Sequence, residues 1–244
     1  MKQGIFTIKE NIKLTDSVMK MTLLGDTSDV TAAGQFINIK LDGLFLRRPI
    51  SVFDCDGECV TIIYKVVGHG TEKMSTMQAG EKLDILTGLG NGYDLSHSGD
   101  APLLLGGGVG VPPLYLLAKK LIAEGKKVSV VLGFNTKDEI FCEEDFKALG
   151  ADVTVTTADG SYGVKGFVTD ALPESYTHFY CCGPEPMLKA VYRATKTSGQ
   201  LSFEERMGCG FGACMGCSCK TITGYKRICK DGPVMMKEEI LWEA

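Results

Sequence analysis

Four cysteines crowd the stretch RMGCGFGACMGCSCK, Arg206 to Lys220: Cys209, Cys214, Cys217 and Cys219. Three of them stand at C-x4-C-x2-C, and Cys229 follows Cys217 after a gap of eleven residues. Thiolates are soft ligands for iron and zinc, so such a loop is first of all a metal-ligand set. The C-x4-C-x2-C…C spacing suits a [2Fe–2S] cluster, which needs four thiolates converging from a tight loop. Gly208, Gly210, Gly212 and Gly216 let the backbone wrap and aim N–H groups at the sulfurs, offsetting the cluster's negative charge and tuning its potential. Structural zinc is a competing reading, since Cys214–Cys217 is a CxxC, but zinc ribbons pair two such motifs and the second is missing. Plain reduced thiols are a third. A thioredoxin-like redox pair would need a βαβ pattern opening on the motif. Cys219, two residues past Cys217, reads as a non-ligand.

A second chemistry sits upstream. GGGVGVPP, residues 106–113, follows an apolar run and opens a helical one. Backbone N–H groups at such a turn, with the helix dipole behind them, hold a pyrophosphate. The stretch departs from G-x-G-x-x-G, with Pro113 where the third glycine would stand, and a glycine loop alone is as often just a tight turn. CCGPEPM, residues 181–187, ends a strand in Cys-Gly-Pro, where an open α/β sheet binds its ligand. Cys181 reads as a small buried hydrophobe, and Cys182 as a residue lining a nicotinamide pocket. RRPISVF (47–53) sets two arginines before a strand; the bland account is a charged edge that blocks aggregation. GHGT (68–71) opens a short helix and is a further anion site. The three histidines, His69, His97 and His178, are scattered, which argues against histidine-based metal or acid–base chemistry.

These motifs need elements to position them. Residues 1–98 carry short alternating segments (GIFTIKENIKL, VMKMTLL, QFINIKL, CVTIIYKVV, KLDIL) with an Asp-Gly turn in DCDGEC, the pattern of a small antiparallel β-barrel. GTEKMSTM is the one helical interruption. Residues 99–200 read strand, glycine loop, helix, strand, with a helix from Pro112 to about Glu124 and Gly125 at its end. KVSVVLGF, DVTVTTAD and THFYCCG continue a parallel sheet, and PMLKAVYRATKTSG is the last helix. Residues 201–244 are rich in Cys and Gly with little periodicity, a small module that a metal centre would stabilise. The expected class is multidomain β plus α/β.

The 244 residues are 44% hydrophobic and 23% charged, which is globular composition, and the net charge of −4 argues against nucleic acid as a partner. No apolar run is long enough for a membrane span. The start MKQGIFTIKE lacks an apolar leader segment, so a cytoplasmic chain is expected, with its ten cysteines reduced.

Taken in order, RPIS, GHGT, GGxGxxP, CGPxxM and C-x4-C-x2-C…C resemble the ferredoxin–NADP reductase superfamily. Within it, the chain most resembles the family of electron transfer subunits of NAD-dependent (class B) dihydroorotate dehydrogenases, over essentially its whole length. The resemblance implies FAD held by Arg48, Pro49, Ile50 and Ser51, with Arg48 on the phosphates, Ile50 against the isoalloxazine and Ser51 near N5. Ile63, Tyr64, Lys65, Gly70 and Thr71 would hold the rest. Gly107, Gly108, Gly110 and Pro113, with Cys182, Gly183 and Pro184, would bind NAD(H), and Cys209, Cys214, Cys217 and Cys229 would ligate the [2Fe–2S] cluster. Departures are Ile50 where many members carry an aromatic, Gly88 where Pro is usual in TGLGNG, and a fourth cysteine closer than in plant ferredoxin.

The resemblance further implies a catalytic subunit carrying FMN that oxidises dihydroorotate, two of each chain in a heterotetramer, and electron flow towards NAD⁺ in pyrimidine biosynthesis. No acid–base residue is then required on this chain, since the redox cofactors carry the chemistry. GFNTKDEIF has acids and no arginine to hold a 2′-phosphate, which favours NAD over NADP. Two alternatives stand beside this: a flavin subunit of a ferredoxin:NADP⁺ transhydrogenase or of a sulfhydrogenase, and a zinc-stapled nucleotide-binding module.

Overall fold

The computed structural model describes residues 1–242. Strands β1 (Lys2–Lys13), β2 (Val18–Leu24), β3 (Phe36–Lys40), β4 (Arg48–Asp56), β5 (Cys59–Lys65) and β6 (Lys82–Leu89) close an antiparallel barrel in the order β1-β2-β5-β4-β3-β6. Their alternation explains the closure. Ile37 and Ile39 of β3, Val52 of β4, Val60 and Ile62 of β5 and Ile85 of β6 are fully buried at every second position, so one face of each strand fills the barrel. Helix α1 (His69–Thr76) bridges β5 and β6.

The chain then lays down β7 (Leu103–Gly107), α2 (Pro113–Ala123), β8 (Ser129–Phe134), α3 (Glu143–Ala148), β9 (Asp152–Thr157), β10 (Val164–Lys165), β11 (Phe179–Cys182), α4 (Glu185–Ala194) and β12 (Gly199–Ser202). The cysteine-rich segment adds a hairpin of β13 (Ser218–Thr221) and β14 (Gly224–Arg227), then β15 (Val234–Met236). The large sheet runs β10-β9-β8-β7-β11-β12-β15, parallel except for β15. From β7 the chain steps outward through β8, β9 and β10, then returns to build β11 and β12 on the other side. The order therefore reverses between β7 and β11, where an open α/β sheet has its crevice.

Two features differ from the sequence expectation. The last helix stops at Ala194, and GQLS forms β12 across residue 200. The cysteine-rich segment is not a free appendage either: β15 pairs with β12 and completes the sheet. Neither is visible in local periodicity, because a three-residue strand acquires its identity from its partner.

Barrel and sheet share one core. Phe53 of β4 stacks on Tyr115 of α2, with ring centroids 4.2 Å apart at 15°, and Lys119 bonds both carboxylate oxygens of Asp54 at 3.0 Å. The ring pair supplies most of this contact's stabilisation, since partly exposed ion pairs contribute at most about 1 kcal/mol.

His178 lies beneath the sheet, 2% exposed, and its Nε2 accepts from Gln200 at 3.3 Å. Burial, helped by nearby His97, lowers its pKa from 6.5 to about 4. The unfolded chain therefore binds this proton first as pH falls, so the stabilisation is complete above pH 6.5 and is lost on descending towards 4. The loss should reach about 2–3 kcal/mol. In thermal melts between pH 7.5 and 4.5, His178→Gln should show a shallower decline than wild type; parallel declines would sink the assignment.

Candidate functional site

The cysteine loop places its thiols as two pairs. Cys209 interacts with Cys214, and Cys229 with Cys217, while Cys209 also acts electrostatically on Cys229. Among the described residues, no three His, Cys, Asp or Glu side chains converge on one point. Two irons sharing four cysteines take them as two pairs, the arrangement this loop offers. The N–H groups of Ala213 and Cys214 donate to Cys209 Sγ at 3.2 and 3.4 Å, that of Gly216 to Cys214 Sγ at 3.4 Å, and that of Cys229 to Cys217 Sγ at 3.4 Å. Burial pushes the Cys209 thiol up, but donors from Phe211, Cys214 and Ala213 outweigh it and hold it at about 6. Burial, reinforced by Cys217, pushes Cys229 up to about 12. An anionic cluster fits this donor set. Cys219 stands apart, its Sγ 3.9 Å from Met235 Sδ.

Arg227 ties the loop to its own base, donating to the Gly212 carbonyl at 3.0 Å while pairing with Asp231 at 2.9 Å. Asn91 holds the following segment, with its N–H on the Gly232 carbonyl at 2.7 Å and its amide bonded to Val234 on both sides.

The glycine loop and the Cys-Gly-Pro turn meet at the carboxyl ends of β7 and β11, which are paired in register at Gly106 and Cys182. A Cβ on Gly110 would lie 2.3 Å from the Cys182 carbonyl oxygen, and one on Gly107 would lie 2.3 Å from Met187 Sδ. The two loops are thus in backbone contact across the switch point, with the first turn of α2 at Pro113 behind them. Gly106, Gly107, Gly108 and Gly110 leave the backbone bare at this edge of the sheet, which is what a pyrophosphate needs in order to approach. Cys181 is fully buried and Cys182 half-buried. Burial pushes the Cys182 thiol up to about 12, so it stays neutral. A cavity of about 150 Å³ opens from Gly183 and Glu185 towards Phe203, Cys219 and Trp242.

On the barrel, Arg48, Pro49, Ile50 and Ser51 form the start of β4, all half-buried. The Arg48 guanidinium lies against the first turn of α1, where a Cβ on Gly70 would meet its Nε at 2.1 Å. Its Nη1 donates to the Leu46 carbonyl, and among the described residues it forms no ion pair, whereas Arg47 pairs with Asp84 at 2.9 Å. An uncompensated guanidinium at a helix amino end fits a phosphate. Lys65 is half-buried at the end of β5. Ile63 and Tyr64 belong to the barrel core, and the Tyr64 hydroxyl donates to Asn11 at 3.0 Å. Thr71 Oγ1 accepts from the Val67 and Gly68 N–H groups at 3.0 and 3.3 Å, so its side chain shapes the turn before α1.

The structure also brings in Asn38, which sequence reading missed. Its Nδ2 donates to the Cys209 carbonyl at 3.3 Å, linking the cysteine loop to β3 across 171 residues of chain. No local signal marks such a contact.

A flavin-type barrel, a dinucleotide crevice and an appended cysteine module belong together in reductases of the ferredoxin–NADP reductase type, and that is the class of this protein. Residues 204–241 match the family described as iron-sulfur cluster binding domain of dihydroorotate dehydrogenase B, and residues 104–193 match the oxidoreductase NAD-binding domain. The dihydroorotate dehydrogenase B (NAD(+)) electron transfer subunit of Bacillus pumilus is 46% identical, covering 98% of this chain and 98% of that protein. Its counterpart in Fusobacterium nucleatum is 43% identical, covering 96% of each. The chain belongs to the family of dihydroorotate dehydrogenase B electron transfer subunits. A solved structure of an NADH-dependent reduced ferredoxin-NADP oxidoreductase, described in terms of flavin-based electron bifurcation, superposes with a TM-score of 0.88 at 30% identity, covering 98% of this chain and 90% of that one.

Proposed function

We propose that this chain passes electrons between NAD(H) and a separate dihydroorotate dehydrogenase catalytic subunit through FAD and a [2Fe–2S] cluster. The observation that carries the reading is the placement of the paired thiols: one side of their loop is bonded to the barrel strand beside the flavin motif, and Cys214, Phe211 and Met215 face outward. When bound, FAD exchanges two electrons with the nicotinamide and single electrons with the cluster. The chain's own residues orient and insulate. Arg48 and the turn before Gly70 and Thr71 take the flavin's phosphates, Pro49, Ile50 and Ser51 flank its ring, and the main chain of Ile63, Tyr64 and Lys65 holds the remainder. Gly107, Gly108, Gly110 and Pro113 seat the pyrophosphate, while Cys182, Gly183 and Pro184 border the nicotinamide. Cys209 with Cys214, and Cys217 with Cys229, supply the thiolates.

Residues 1–98 serve as the flavin domain, 99–200 as the dinucleotide domain and 201–244 as the cluster module, whose residues 243 and 244 lie outside the described ones. The stretch just past β8 carries Asp138 and Glu139 and no arginine to hold a 2′-phosphate, and Glu139 accepts from Asn135 at 2.8 Å, which favours NAD over NADP. The partner carries FMN, the assembly holds two of each chain, and flow runs from dihydroorotate to NAD⁺. The site of action is the cytoplasm, where ten free cysteines stay reduced. Among the described residues, no helix is long and apolar enough to cross a membrane.

The test is anaerobic co-expression with a catalytic subunit from the same source, following NADH formation with dihydroorotate as sole donor. Reduction of NAD⁺ that disappears without this chain is the expected result. A second reading draws on the 0.88 TM-score to the ferredoxin-NADP oxidoreductase. In that case the chain would load FAD and iron, ignore the catalytic subunit, and reduce or oxidise ferredoxin instead.

A further inference from the structure

We infer that Asn38 is a positioning residue for electron transfer, fixing the cysteine loop against the strand that carries the flavin motif and thereby setting the cluster's potential and its coupling to the flavin. The inference rests on the cofactor sites proposed above.

Asn38 is 1% exposed, an amide buried at the junction of barrel and cysteine loop. In the β3–β4 ladder it lies opposite Pro49, while its neighbour Phe36 lies opposite Ser51. The same residue therefore adjoins the flavin motif through its strand and the metal loop through its side chain. Its Nδ2 donates to the Cys209 carbonyl at 3.3 Å, and the Arg47 guanidinium donates to its own carbonyl at 3.3 Å, anchoring this stretch of β3. The orientation of the amide is fixed, because turning it over would set Oδ1 against the Cys209 carbonyl oxygen.

The surroundings are shaped to admit this contact. The β3–β6 register shifts between Phe36 and Asn38, a bulge of the kind that re-aims a side chain. On the other side, Gly210 adopts φ +79°, and a Cβ there would lie 2.3 Å from Asn38 Nδ2. Loop and strand meet only because that position has no side chain.

Stability does not account for the amide. Asn38 Oδ1 is buried and has no hydrogen-bond partner within the protein. A buried acceptor left unpaired costs about 1–3 kcal/mol, and leucine would fill a similar volume without that cost. The amide is instead suited to polar work at the junction: it holds the peptide of a ligand cysteine and keeps a spare acceptor beside the cofactors. Groups of this kind, one step behind the ligands, orient them and tune the metal's potential.

The test uses the full chain purified anaerobically with its cofactors, comparing wild type with Asn38→Leu and the smaller Asn38→Ser. Iron and FAD are counted, the cluster's midpoint potential is titrated by electron paramagnetic resonance, and the delay between flavin reduction by NADH and cluster reduction is timed by stopped flow. Full cofactor content with a shifted potential, an altered resonance line shape and about a tenfold longer delay is expected. Loaded variants with wild-type potential and delay overturn the inference. So does loss of iron from both variants with FAD retained, which would make Asn38 a packing residue. A wild-type chain without iron or flavin overturns the underlying site assignment itself, a result visible before any variant is made.

Discussion

Changing Cys217 to serine should empty the iron–sulfur site and stop transfer to the catalytic subunit, while the chain's exchange with NADH survives. Cys217 is 2% exposed and paired with Cys229, whose own N–H donates to its sulfur at 3.4 Å. Loss of this one thiolate leaves one iron with a single protein ligand and strands a hydrogen bond inside the module. Substituting residues that merely support ligands costs about 10–100-fold, so removing a ligand should lower dihydroorotate-driven NAD⁺ reduction by more than about a hundredfold. NADH oxidation by an artificial acceptor that takes electrons at the flavin should continue, because the crevice between β7 and β11 is untouched. Cys219→Ser is the internal control. Its thiol contacts Met235 and belongs to neither pair, so iron content and turnover should stay near wild type. A Cys217→Ser chain with full iron and full turnover, or a Cys219→Ser chain without iron, would falsify the pairing.

Gly110→Ala should have the opposite profile. The added methyl would lie 2.3 Å from the Cys182 carbonyl oxygen and 2.5 Å from the carbon behind it, both backbone atoms that no rotamer change can move. The glycine loop and the Cys-Gly-Pro turn must separate, and the cradle for the pyrophosphate opens. A KM for NADH raised about 10–100-fold corresponds to about 1.4–2.7 kcal/mol of lost binding. Overpacking should also lower stability by about 1–3 kcal/mol. FAD and iron contents should not change, since neither Arg48 nor the cysteine loop touches this contact. Steady-state kinetics beside cofactor analysis reads both effects; an unchanged KM would mean that the dinucleotide binds elsewhere.

The two variants probe sites that differ in how far the sequence disclosed them. C-x4-C-x2-C…C was legible because metal chemistry dictates residue type and spacing within one short loop. The glycine loop was legible as a turn, and it acquired meaning only from CCGPEPM some seventy residues later. The barrel strands showed themselves through period-two burial. What stayed hidden depends on tertiary partners. Tyr64 stands within an expected cofactor stretch, yet its hydroxyl is engaged by Asn11 from the first strand. Asn38 looks like any polar residue in FINIK, and its role depends on a bulge and on a glycine 172 positions away. β12 and β15 are short: β12 is a strand because it pairs with β11, and β15 because it pairs with β12.

That last pairing also sets an order of events at the ribosome. β15 follows every cysteine of the loop in the chain, so the sheet's margin at β12 stays open until all of them have left the exit tunnel. Nascent chains fold from the amino end, and an unpaired strand edge invites other chains. The sheet is therefore closed only after every thiol of the loop has emerged. A chain cut short before Val234 would leave β12 as an open strand edge and lack the strand that anchors the cysteine segment to the sheet.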